Sequence, residues 1–160
     1  EPDHPPLYTG NLEPGIIPID NTDYASLQRF DAGLSAGPGS LLEAEPEPLG
    51  YHLVEAQWLR AITSTAPKHL MVVMVDGDSM EPTLSHQDWV LVDTTQRRPS
   101  KQAVFALRVA NEVWVKRVQP MLGKGLIRLH SDNTRYDPDD VTEDQFEPIG
   151  RVIAIVARKL

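Results

Sequence analysis

From residue 51 onward the sequence breaks into short runs of β-branched and aromatic residues, separated by turn-forming residues. These runs cover residues 70–75, 89–93, 104–109, 113–118, 126–129 and 149–157. Such closely spaced runs predict a mainly β fold of compact antiparallel, partly barrel-like sheets with short helices. One helix is predicted at residues 55–63, where apolar side chains recur at helical spacing before Pro67. Asn111 and Glu112 separate two runs and predict a hairpin turn.

The first 50 residues have a different composition. They hold nine acidic side chains against one basic one, so the whole net charge of −8 originates there, and they hold eight of the 14 prolines. We therefore divide the chain into an acidic Pro/Gly-rich arm at residues 1–50 and a charge-balanced domain at residues 51–160. Within the arm, residues 15–19 and a stretch around residues 34–42 could pair as strands. Residues 24–30 between them are expected to form a helical turn, and a fully disordered arm is the alternative.

Composition excludes several functions. The absence of cysteine excludes disulfides, thiolate catalysis and Cys-based zinc sites. The acidic residues 137–144 lack the spacing of a calcium loop, so we expect neither a metal nor a cofactor. No apolar run approaches the ~18 residues of a membrane span, and a basic face for nucleic acid is missing. The first ten residues do not resemble a signal peptide, and the chain starts without Met, which predicts a cytoplasmic fragment of a longer protein.

A candidate nucleophile follows the first predicted strand of the domain. Gly77 permits a sharp turn with positive φ, and Pro82 is expected to begin a short helix with Ser79 near its N-terminus. Backbone N–H groups there could stabilise an oxyanion, with Gly77, Asp78 and Met80 as supporting residues. Taken alone, however, this segment fits a capped strand-to-helix turn better than a catalytic site.

A nucleophilic serine also needs a base. None of the five histidines has a patterned acidic partner, which leaves a lysine as the candidate. The period of two in residues 113–118 puts Lys116 on the same face as Trp114 and Val118. Burial on an apolar face would lower the lysine pKa toward the range a general base requires. The open alternative is that Lys116 and Arg117 form a solvated basic pair.

Several ordered motifs resemble the C-terminal domain of LexA-like repressors, most closely the phage-type members. The motifs are GDSMEPTL at 77–84, WVLVDT at 89–94, VFALRVANEVWVKRVQ at 104–119, HSDNTRYDP at 130–138 and IGRVIAIVARKL at 149–160. The resemblance covers about residues 34–160. It implies a serine autopeptidase with a Ser-Lys dyad, in which Ser79 is the nucleophile and Lys116, 37 positions later, is the general base. Ser131, Asp132 and Asn133 resemble a segment that supports the site or forms a turn.

The resemblance also gives the arm a role as substrate, because LexA-like proteins cut their own chain at an Ala-Gly bond. The sequence offers Ala36-Gly37, which we prefer for its Ser-Ala-Gly-Pro-Gly context, and Ala32-Gly33 as the alternative. The preferred bond lies 42 residues before Ser79, farther upstream than in LexA, and Pro38 could slow cutting. Efficient self-cleavage is therefore in question. The same residues also fit a flexible linker.

What the resemblance implies for the whole protein is a repressor of the phage or SOS type. It would act as a homodimer, bind operator DNA through a helix-turn-helix domain absent from this chain, and cleave itself in response to the RecA filament. Two alternatives stay open. One is a dimerisation module whose cleavage is weak or lost, and the other is a type I signal-peptidase-like serine protease, against which the lack of a membrane span argues.

Overall fold

The structure is a computed structural model, and it describes residues 15–19, 22–30, 48–110 and 112–158. The described chain forms ten strands, one α-helix and two 3-10 turns. The strands are β1 (Gly15–Ile19), β2 (Thr22–Phe30), β3 (Gly50–Glu55), β4 (Leu70–Met74), β5 (Trp89–Asp93), β6 (Ala103–Val109), β7 (Glu112–Met121), β8 (Leu126–His130), β9 (Asp139–Val141) and β10 (Glu147–Ala157). Helix α1 spans Ala56–Ile62, and the 3-10 turns span Pro67–His69 and Glu143–Gln145.

All ten strands belong to one mixed sheet, which confirms the mainly β prediction. The order is β1-β2-β4-β5-β10-β6-β7-β8-β9, and β3 pairs with β2 beside this path. The pairing of β2 with β4 is parallel, and the other pairings of described strands are antiparallel. Among these strands the sheet stays open and does not close into a barrel.

The N-terminal strands correct one expectation about the arm. The strand at Gly15–Ile19 is present and pairs with β2, but residues 24–30 lie in β2 and form no helical turn. Ala25, Ser26 and Leu27 are all buried, so both faces of β2 are covered and the period of two that would have indicated a strand is hidden. The stretch around residues 34–42 lies outside the described residues. Strand β2 extends the sheet across the boundary we placed at residue 50, and that boundary stays a prediction.

The domain elements follow the predicted runs closely. Helix α1 begins one residue after the predicted start at Glu55 and ends one before the predicted end at Thr63. Strands β6 and β7 form the predicted hairpin, but Glu112, which was predicted in the turn, belongs to β7 and pairs with Val109. Ala110 takes a φ of 52° in the turn. Strands β3 and β9 were not predicted. Strand β9 has only three residues, Asp139, Asp140 and Val141, and aspartate is rare in strands.

Three apolar clusters form the core, and one of them supports the candidate site. It joins residues of β4, β5 and β6 to Met80 and Leu84, which are 1% and 3% exposed. A second cluster lies between β2, α1 and β5, and a third lies between β6, β7 and β8. The segment that carries Ser79 is therefore anchored on the sheet by apolar side chains on its C-terminal side.

Candidate active site

Ser79 lies on a tight turn that follows β4. Gly77 has the predicted positive φ, at 78°, and the amide of Leu84 donates to the carbonyl of Met80 over 2.9 Å. Ser79 is half-buried. The expected helix starting at Pro82 is absent, since residues 79–83 form consecutive turns, so no helix N-terminus lies behind Ser79. The Glu81-Pro82 peptide bond within these turns is cis.

Lys116 lies on β7 with the predicted neighbours. Its side chain is half-buried, and burial lowers the pKa of its ammonium group, while the charge of Asp139 opposes that shift. The Nζ atom lies 5.7 Å from the ring centres of both Trp114 and Tyr136. Since cations are attracted to aromatic faces, the two rings favour the protonated lysine, whereas desolvation disfavours it.

The hydrogen bond of the Lys116 ammonium goes to Ser131. Nζ donates to Ser131 Oγ over 2.7 Å, and no bond from Nζ to Ser79 is present in the described structure. Strand pairing explains this contact. Arg117 pairs with His130, so Lys116 and Ser131 are the next facing pair where β8 ends.

The loop that begins with Ser131 also holds the turn of Ser79. The backbone amide of Asn133 donates to the carbonyl of Ser79 over 3.0 Å, and its side-chain amide donates to the carbonyl of Asp78 over 3.1 Å. Asn133 thus holds the backbone of both Asp78 and Ser79. The loop therefore contacts both members of the predicted dyad, which the chain separates by 37 positions.

Asp78 carries a second connection between the two halves of the site. Its carboxylate accepts hydrogen bonds from the Tyr136 hydroxyl and the Arg135 guanidinium, both at 2.5 Å. The Tyr136 bond, assisted by the charge of Arg135, holds the pKa of Asp78 below its usual value. Because the ring of Tyr136 also faces Lys116 Nζ, one side chain contacts the neighbour of Ser79 and the candidate base.

An ion pair between Arg117 and Asp132 also holds the loop that begins with Ser131. Arg117 donates from Nε and Nη2 to the two carboxylate oxygens of Asp132 over 2.7 and 2.6 Å. The Thr83 hydroxyl donates to the same carboxylate over 2.5 Å. The bond from Arg117 is the main reason that the pKa of Asp132 is lowered. Arg117 is thus bound to a carboxylate, so the solvated basic pair that we held open does not form.

The remaining predicted site residues have separate surroundings. The Met80 side chain lies in the core, and the amide of Gly77 donates to His86 Nδ1 over 3.0 Å. The preferred and alternative cleavage bonds, Ala36-Gly37 and Ala32-Gly33, lie outside the described residues. Of the acidic residues at 137–144, Asp140 pairs with Arg128. No described group of three or more acidic or histidine side chains has metal-binding geometry, and no described helix is long and apolar enough to span a membrane.

Sequence reasoning identified only part of the residues that connect the site. Ser131, Asp132 and Asn133 were predicted to have at most a supporting role, while Thr83 and Tyr136 received none. The segment HSDNTRYDP is the part of the sequence that could have identified these residues, because hydroxyl, amide and aromatic groups cluster there directly after a strand. Their partners lie 15 to 58 positions away. The strand register identifies the partner of Ser131, whereas the contact of Tyr136 with Asp78 lies outside every strand pairing.

The comparison with protein families fits this geometry. The model of the Peptidase S24-like family matches residues 30–153, most of the chain and all of the residues described above as the site. The chain belongs to the Peptidase S24-like family. The LexA-like resemblance predicted from the motifs is thereby confirmed.

Two curated relatives match most of this chain, and both are named as regulators. An uncharacterized HTH-type transcriptional regulator of Haemophilus influenzae is 29% identical over 147 residues, covering 90% of this chain and 58% of that protein. The 26 kDa repressor protein of Escherichia phage HK022 is 26% identical over 141 residues, covering 87% of this chain and 59% of that protein. The chain therefore spans somewhat more than half the length of each of these two relatives.

Proposed function

We propose that this chain is the self-cleaving regulatory part of a transcriptional repressor, with Ser79 and Lys116 as a Ser-Lys dyad. The observation that carries the proposal is the loop at residues 131–136. It bonds to Lys116 through Ser131 and to the turn of Ser79 through Asn133. Half-burial also lowers the pKa of Lys116, which is the direction that a lysine base requires.

The proposed reaction begins with neutral Lys116 taking the proton of the Ser79 hydroxyl. Ser79 Oγ then attacks the carbonyl carbon of Ala36, and backbone N–H groups of the turn at Ser79 and Met80 stabilise the oxyanion. The protonated lysine returns its proton to the leaving amine of Gly37. Water next hydrolyses the acyl-enzyme, with Lys116 again as base, and frees Ser79. For the first step Nζ must exchange its bond to Ser131 for one to Ser79.

The consequence of cutting is regulatory. We propose that the whole protein is a homodimer that binds operator DNA through a helix-turn-helix domain outside this chain, in keeping with the names of the two relatives. Cleavage in the arm would separate the dimerisation domain from the DNA-binding domain. Each half-site would then be bound without a tethered partner, and operator affinity would fall through lost effective concentration. The RecA filament is the proposed stimulus in a cytoplasmic SOS-type response, acting by favouring the docked arm.

One observation favours a second candidate, a dimerisation module with weak or lost cleavage. Lys116 Nζ is bonded to Ser131 and flanked by two aromatic rings, an arrangement that favours the protonated, inactive lysine. A single cleavage experiment separates the two candidate functions, because only the first predicts that the chain is cut.

The experiment is intact-mass analysis of the purified chain, Ser79→Ala and Lys116→Ala after incubation at pH 7 and pH 10. The proposal predicts a fragment starting at Gly37 that accumulates at pH 10 in the native chain alone. A fragment starting at Gly33 would move the bond and keep the dyad. An intact native chain at pH 10 would favour the non-cleaving module, and equal cutting of all three samples would indicate a contaminating protease.

A further inference from the structure

A concave site lies away from Ser79, on the surface between the end of β5 and the start of β6. We call it the basic pocket and define it by Thr95, Arg97, Arg98, Ser100, Lys101 and Arg151. Its volume is about 410 Å³, within the range of small-molecule sites. Arg151 reaches it from β10, which pairs with both β5 and β6.

Four cations line this pocket without a carboxylate among the residues that form it. None of the four makes an ion pair with a described carboxylate. Elsewhere in the described chain, five arginines are each paired with an aspartate or glutamate; these are Arg108, Arg117, Arg128, Arg135 and Arg158. Arg29, Arg60, Lys68, Lys116 and Lys124 also form no ion pair with a described carboxylate. The basic pocket therefore differs in holding four such cations together, with no carboxylate in its lining.

Gln96 lies between Arg151 and Asp93, the partner of Arg151 in the strand pairing. Arg151 Nη1 donates to Gln96 Oε1 over 3.2 Å, and the Gln96 amide nitrogen donates to Asp93 over 2.8 Å, so the glutamine separates the two charges. Asp93 is further bound by Thr65 and Thr95. The Nε of Arg151 is shielded from solvent and has no hydrogen-bond partner among the described residues. A shielded cationic donor of this kind requires an acceptor.

We propose that the basic pocket binds a small anion of the phosphate class, with a diphosphate group as the best match. Guanidinium groups bind phosphate oxygens through paired N–H donors, and Ser100 in the lining adds a hydroxyl donor. Four cations exceed what a single phosphate monoanion would neutralise, which favours a diphosphate. The protein carries a net charge of −8, so a bound polyanion must be held by this local cluster and not by the overall field.

The source of the diphosphate is either free pyrophosphate or a nucleoside diphosphate, and both present the same chemistry to the arginines. Pyrophosphate and adenosine diphosphate are titrated calorimetrically into the full chain at low salt. Equal affinities assign the site to the phosphate groups alone, and tighter binding of the nucleotide assigns it to a nucleoside diphosphate. Binding should also raise the thermal midpoint of the chain, since a ligand of the folded state stabilises it.

Arg98→Gln is the main variant, because Arg98 is exposed and its replacement leaves the core intact. It should weaken pyrophosphate binding about tenfold, and Arg151→Gln should weaken it at least as much. Arg60→Gln on α1 removes the same charge from an exposed position outside the pocket and should leave the affinity unchanged. Absence of binding at millimolar pyrophosphate, or equal weakening by Arg60→Gln, would overturn the proposal. So would binding of a short DNA duplex through Arg98 that pyrophosphate does not compete with.

Discussion

Lys116 Nζ lies 2.7 Å from Ser131 Oγ, the hydroxyl at the end of the neighbouring strand. The contact keeps the candidate base beside the loop that also binds the carbonyl of Ser79. Before it can act as a base, Lys116 must therefore lose its proton and exchange Ser131 for Ser79 as its hydrogen-bond partner. The pH dependence of self-cleavage therefore becomes the most informative property of the proposed dyad.

The first prediction concerns that pH dependence. Below the pKa of Lys116 the neutral fraction of the lysine rises about tenfold per pH unit, so the rate of self-cleavage should rise with the same slope. Because burial lowers this pKa, the midpoint of the rise should lie below the ordinary lysine value of 10.5. Rates from intact-mass time courses between pH 6 and pH 10 test this. Lys116→Arg keeps the charge but cannot deprotonate, and any cutting in it would remove Lys116 from the mechanism.

The second prediction concerns Ser131. Its Oγ accepts a bond from the ammonium form, so Ser131→Ala should disfavour that form and lower the pKa of Lys116. The midpoint of the rate profile should move to lower pH, and the plateau should fall about tenfold because the lysine loses its position. Ser131→Thr keeps the acceptor and should restore both values. A profile with a reduced plateau but an unmoved midpoint would mean that Ser131 supports the fold and does not act on the lysine.

The third prediction concerns the bond from Tyr136 to Asp78. Tyr136→Phe removes this donor but keeps the ring beside Lys116, so it should raise the pKa of Asp78 and loosen the turn of Ser79. The amides of Glu81 and Leu84, which bond to the carbonyls of Asp78 and Met80, report on that turn. Hydrogen exchange at both amides should become severalfold faster.

The matched control for that measurement is Tyr51→Phe on β3. It removes the same hydroxyl from a partly exposed tyrosine outside the site. Unchanged exchange at Glu81 and Leu84 in Tyr136→Phe, or equal acceleration in both variants, would show that the Asp78 bond does not order the turn.

How far the fold follows from the sequence depends on how each strand is buried. Strand β7 was predicted because Trp114, Lys116 and Val118 alternate with residues of the opposite face. Strand β2 was missed because Ala25, Ser26 and Leu27 are covered on both sides, which leaves no alternation. The helix predicted after Ser79 was wrong for a different reason. It was expected because proline favours the first turn of a helix, yet proline is equally at home in turns, and residues 79–83 form consecutive turns.

The candidate site follows from the sequence only in part. The motifs identified Ser79 and Lys116 as candidates, and the alternation of β7 indicated which face Lys116 would occupy. The identity of its partner depends on the register that pairs Arg117 with His130, and a one-residue slip would have placed a different side chain there. The bond from Tyr136 to Asp78 links residues 58 positions apart, and local sequence rules contain no information about such a contact.

The fourth prediction concerns Gly150, where β10 crosses between β5 and β6. A Cβ at this position would collide with the carbonyl oxygen of Asp93 and lie 2.8 Å from Val92 Cγ1. Gly150→Ala should therefore lower the free energy of unfolding by about 1–3 kcal/mol, measured by urea denaturation. Gly123→Ala is the control, since its added methyl meets no atom within 4 Å and its only cost comes from a φ of 76°. A Gly150 variant no less stable than the Gly123 variant would contradict this close approach.

The fifth prediction concerns the ion pair of Asp132 with Arg117. Asp132→Asn leaves the Arg117 guanidinium without its anion, so it should lower the free energy of unfolding at pH 7 by about 1–3 kcal/mol. The folded pKa of Asp132 is depressed, chiefly by the Arg117 bond, so its contribution is fully present above the ordinary value of 3.8. That contribution is lost as the pH falls through the lower pKa of the folded chain. The stability difference between native chain and variant should thus shrink from pH 7 to pH 2 in urea denaturation, whereas Asp137→Asn, at an exposed position, should show almost no difference at either pH. A difference that stays constant with pH would assign the loss to packing of the asparagine and not to the carboxylate charge.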